Sequence, residues 1–126
     1  MKKSTIVTSA LVFTLVIFGS FAYADSLMVN IPFPFKAAGK DFAAGQYRLE
    51  ANLEKDTLTL RSEATSKAVF LSFTTRLSER GNEALVVFDK QGEQYLMSEV
   101  YIPGIDGFEL KAAVGKHSHV KVKGSK

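Results

Sequence analysis

From residue 27 onward, apolar and polar side chains alternate. Leu27, Val29, Ile31, Phe33 and Phe35 take every second position, with Met28, Asn30, Pro32 and Pro34 between them, which places all five on one face of an extended chain. Proline has no amide hydrogen for a ladder, so this segment is expected at a sheet edge, or to leave the sheet near Pro32 and cross over to close or cap it. The prolines read as protection of that edge against another chain rather than as the rim of a ligand site. Tyr47, Leu49 and Ala51 alternate with Arg48 and Glu50, residues 52–56 form a polar break, and residues 57–61 alternate again. That pattern predicts a hairpin.

Residues 68–77 predict one longer strand, with Val69, Leu71, Phe73, Thr75 and Leu77 on one face. Residues 84–88 are apolar throughout, the mark of a central strand or of one covered on both faces. In residues 94–102 the pattern sets Leu96, Val100 and Ile102 against Tyr95, Met97, Glu99 and Tyr101. Phe108, Leu110, Ala112 and Val114 are spaced for a last strand, although the alanines also suit a short helix. Short strands at roughly ten-residue spacing, with no internal repeat, predict an all-β fold: a single small antiparallel β-sandwich or barrel of six to seven strands.

Ahead of this domain, Lys2 and Lys3 precede an almost unbroken apolar run from Ile6 to Phe18, and Ala22-Tyr23-Ala24 offers small residues at signal-peptidase positions. Residues 1–24 therefore read as a helical signal peptide cleaved after Ala24, which makes the protein periplasmic or secreted with no membrane span afterwards. Its removal takes two lysines and leaves 14 basic against 13 acidic side chains. Residues 25–110 hold 9 basic and 13 acidic groups, and residues 111–126 hold five lysines and no acid. The chain thus divides into a β-domain over 25–114 and a lysine-rich tail over 115–126 that is expected to fray. With no cysteine, a disulfide scaffold, thiolate chemistry and a lipid-modified cysteine are excluded.

Three stretches together resemble a family of small exported bacterial β-proteins of unassigned function. They are Val29-Asn30-Ile31-Pro32-Phe33-Pro34-Phe35, the join from Phe42 to Glu50 (FAAGQYRLE), and Tyr95 to Gly104 (YLMSEVYIPG) followed by Gly107-Phe108-Glu109-Leu110. The family has an acidic residue between the two phenylalanines where this chain has Pro34, and the lysine tail is a further departure. The resemblance implies a secreted β-domain with no known catalytic residues.

Candidate chemistry is sparse. His117 and His119, two apart, would share one face of an extended segment and could meet a divalent ion, but two ligands fall short of a structural or catalytic site. They are read as solvated histidines, with no metal or other cofactor expected. The lysines of the tail, Lys121 and Lys123 among them, suit anionic envelope partners or plain solubilisation; no arginine or aromatic residue joins them, so nucleic acid is not expected. Tyr95, Glu99 and Tyr101 would form an exposed amphipathic stripe if Leu96, Val100 and Ile102 pack inward, with pairing of Glu99 to Arg48, Arg61 or Arg76 as the plainer alternative. Ser98 lacks the glycine-flanked elbow of a hydrolase nucleophile. The expected function is that of an exported, non-catalytic β-domain that binds a cell-envelope component or a protein partner, through Tyr95, Glu99, Tyr101, Lys121 and Lys123. The alternative is a small barrel carrying an apolar ligand among Phe70, Phe73 and Phe88.

Overall fold

A computed structural model describes residues 25–78, 83–111 and 115–125. The proposed signal segment, Ala112 and Val114 lie outside them. The described residues form eleven strands: β1 (Asp25–Ile31), β2 (Phe35–Ala37), β3 (Lys40–Phe42), β4 (Gly45–Asn52), β5 (Thr57–Ser62), β6 (Ala68–Leu71), β7 (Thr75–Leu77), β8 (Leu85–Gln91), β9 (Gln94–Tyr101), β10 (Gly107–Glu109) and β11 (Ser118–Ser125). They make one curled, open sheet in the order β3-β2-β9-β8-β11-β1-β4-β5-β6, with β10 beside β9 and β7 beside β10. The fold is all-β, as expected, and four of its strands are three residues long. Among the described residues every strand pairing is antiparallel except the Lys36–Leu96 bridge between β2 and β9. Among the described residues no helix is long and apolar enough to cross a membrane.

The curl lets the concave face close on itself. Leu27, Val29, Leu49, Leu58 and Leu60 from one half meet Phe35, Val86, Phe88, Met97, Val100 and Phe108 from the other in a single cluster. The β4–β5 hairpin is in the expected place, with Leu49 opposite Leu60 and Ala51 opposite Leu58, and the Asn52 side chain accepts the Lys55 amide at 3.0 Å to shape the turn.

Four expectations change. Of the two placements expected for the first segment, the sheet edge is not taken: β1 is internal, lying between β11 and β4, and the chain leaves the sheet near Pro32, as the other had it, because the strand ends at Ile31 before either proline needs a ladder bond. The prolines instead carry the chain across to the other half and turn Phe33 and Phe35 onto Phe88, at ring-centroid distances of 5.0 and 5.5 Å. Residues 68–77 split into β6, paired with β5, and β7, paired with β10. The break falls where the Thr74 amide and hydroxyl both donate to the Glu109 carbonyl, at 2.7 and 3.1 Å, and draw the chain into the other half.

The third change is a β-bulge. β8 pairs Val87 with Glu99 but Phe88 with Met97, so Ser98 is the extra residue on β9 and the alternation of that strand reverses there. Met97 and Tyr95 before the bulge, and Val100 and Ile102 after it, all reach the core. Finally, the lysine-rich segment does not fray: β11 pairs with β8 over six residues and with β1 over two, and so joins the two halves. Val120 and Val122 face inward, and that burial together with two backbone ladders outweighs a polar composition. Gly124 permits the seam with β1, since a β-carbon there would lie 2.6 Å from the Met28 carbonyl oxygen.

Candidate functional site

β8 is buried on both faces, and its convex side organises the site. In antiparallel pairs, residues directly opposite share a face. Across β11, β8, β9, β10 and β7 this gives one row of Lys121, Val87, Glu99, Glu109 and Thr75, and beside it a row of Lys123, Leu85, Tyr101, Gly107 and Leu77. Leu85, Val87 and Tyr101, with Leu77 against them, form a second small apolar cluster outside the main core. The Tyr101 ring lies over Gly107, and its hydroxyl donates to Glu99 Oε1 at 2.6 Å.

Four of the five expected binding residues, Glu99, Tyr101, Lys121 and Lys123, therefore meet on one face. Tyr95 does not join them. It lies before the bulge, on the concave side, stacked on Phe33 with centroids 3.8 Å apart and with the Lys90 ammonium 5.5 Å from its ring. Tyr101 is only 6% exposed, so no open tyrosine stripe exists. The arginines named as partners for Glu99 are engaged elsewhere: Arg48 with Glu63, Arg61 with Glu50, and Arg76 with Asp56 and Asp106.

A pocket of about 370 Å³ sits at the end of this face, lined among others by Asp89, Ser98, Glu99, Glu109, His117 and His119. Asp89 stands opposite His119 across β8 and β11 and is 4% exposed. His119 Nδ1 is 3.4 Å from Asp89 Oδ1, and His117 Nε2 is 3.7 Å from Asp89 Oδ2. The other ring nitrogen of His117 lies 2.7 Å from the Gly115 carbonyl oxygen. Gly115 has φ of +96°, a backbone setting that favours glycine. Ser98 shares the pocket, but it is buried and its hydroxyl donates to the Val87 carbonyl at 3.0 Å, so it clamps the bulge. Glu99 and Glu109 face each other directly, and like charges so placed repel and favour a cation nearby.

Sequence reasoning found the two histidines but not Asp89 or Glu109. Asp89 had a signal, as the first charged residue after the apolar run Ala84–Phe88; its meeting with the histidines depends on the β8–β11 register, which a segment expected to fray could not supply. Comparison with family models, curated proteins and solved structures found no match.

Proposed function

We propose that the protein is an exported, non-catalytic β-domain that acts by binding a component of the cell envelope or a partner protein, and that the convex face of β11, β8, β9 and β10 is its contact surface. The observation that carries this reading is the ordered cationic row. Lys121 and Lys123 are exposed on β11 and point the same way, about 7 Å apart at the spacing of a strand. A row fixed before contact loses less entropy on binding than a loose tail would.

The carrier reading has less support. Phe88 is fully buried against Phe33 and Phe35, whereas Phe70 and Phe73 line an open surface depression formed with Asp56, Thr57, Leu71 and Ser72. The three phenylalanines do not share one cavity. Sedimentation with isolated envelope tests the binding proposal. The exported chain is expected to pellet at low salt, and a Lys121→Glu, Lys123→Glu variant to stay in solution; equal pelleting of the two sinks the assignment of this face.

A further inference from the structure

The geometry points to a divalent transition-metal site formed by Asp89, His117 and His119. One donor atom from each residue lies within 4.8 Å of the other two. The carboxylate–imidazole separations of 3.4 and 3.7 Å exceed the roughly 3.2 Å limit of a good hydrogen bond. They run to the two different oxygens of the carboxylate, and each is near the length of a tetrahedral edge, about 3.4 Å for metal–nitrogen bonds near 2.05 Å. The three groups are thus spaced as ligands of one ion.

Two further observations support the assignment. The Gly115 carbonyl, 2.7 Å from Nδ1 of His117, can only accept a hydrogen bond, so in the neutral ring Nδ1 is the donor and Nε2, on the Asp89 side, is the nitrogen left for an ion. Ligating histidines are held in this way, by a backbone or carboxylate acceptor on the second nitrogen. The pocket also leaves room beside the three donors, and Glu99 and Glu109 on its wall add negative charge. A fourth position is therefore open to water or to a side chain of a binding partner.

Two imidazoles and one carboxylate, with no thiolate, suit zinc, copper(II) or nickel; calcium and magnesium prefer all-oxygen sets. His119 belongs to the start of β11, with His117 just ahead of that strand, and Asp89 to β8. An ion held by all three ties the strand that joins the two halves of the sheet to its principal neighbour.

The test is a calorimetric titration of the purified chain with zinc chloride, with magnesium and calcium chloride as comparisons. One equivalent of zinc should bind at micromolar concentration or tighter, and His119→Ala and Asp89→Asn should each weaken it at least tenfold. Since Asp89→Asn alters a buried group, the His117→Ala, His119→Ala variant, which changes side chains nearer the surface, keeps the proposal open to refutation if the first fails to fold. Bound zinc should also raise the denaturation midpoint of the parent and leave that of the double-histidine variant unmoved. Zinc binding that survives in the double variant, binding weaker than millimolar, or an equal response to calcium each overturns the site. The site is independent of the envelope-binding reading, and the Lys121→Glu, Lys123→Glu variant should keep its zinc.

Discussion

Tyr101 is held in place by Gly107: a β-carbon on that glycine would sit 2.6 Å from two carbons of the tyrosine ring. A ring displaced by such a contact would strain the 2.6 Å bond to Glu99. Gly107→Ala is therefore expected to cost about 1–3 kcal/mol, the range for overpacking a filled site. Tyr101→Phe keeps the packing and removes only the hydroxyl, for about 1 kcal/mol. Urea unfolding of both variants checks the order. A Gly107→Ala protein as stable as the parent would show that the ring is free to move.

Shortening the chain after Val114 deletes β11. The loss uncovers the ladders of β8 and β1 and the inner contacts of Val120 and Val122. The shortened chain should lose its cooperative thermal transition, whereas Lys121→Ala and Lys123→Ala should change stability by less than about 0.5 kcal/mol, as surface replacements do. Calorimetry separates the two cases, and a shortened chain that melts cooperatively at the parent temperature would mean that β11 contributes little.

Burial raises the Tyr47 phenol above its ordinary value of 10.0. In the unfolded chain the phenol ionises at the ordinary value, while the folded protein still holds the proton. The stabilisation is therefore complete below pH 10 and is lost as the pH rises through the higher folded value. At neutral pH, Tyr47→Phe should cost about 1 kcal/mol for the bond to the Ala43 carbonyl, 2.7 Å long. Above pH 10 that difference should shrink. Urea midpoints measured from pH 8 to 11 should converge, and parallel curves contradict the argument.

Phe70 and Phe88 occupy opposite environments, one 77% exposed and the other fully buried. Phe88→Ala should cost about 3–5 kcal/mol, as expected for a large core ring, and Phe70→Ser less than about 0.5 kcal/mol. Denaturant unfolding is sufficient to compare them. Similar costs for the two would mean that Phe70 packs against something in solution.

Alternation alone was enough to read the β4–β5 hairpin and the doubly buried β8, because their periods run unbroken between turn residues. It failed in three places, for different reasons. At Ser98 one extra residue reverses the face of everything after it, and the only local trace is a small polar residue inside an apolar strand. At Ser72–Thr74 the pattern is continuous, yet a long-range tie to Glu109 redirects the chain. At β11 the composition argued for disorder, and order comes from partners at positions 85–90 and 28–29 that no local window contains. The candidate site was half legible for the same reason: Lys121, Lys123, Glu99, Tyr101 and the histidines announce themselves by type, while Asp89 joins them only through strand register.

Placing β11 between β8 and β1 has a consequence for the order of events during synthesis. Val29, near the start of the described chain, pairs with Gly124, near its end. The sheet therefore cannot close until residue 124 is available, and contacts so distant in sequence form slowly. A chain delivered from its N-terminus onward would therefore hold β1 and β8 with their β11-facing edges open until residues 118–125 arrive, and would acquire its central seam only then.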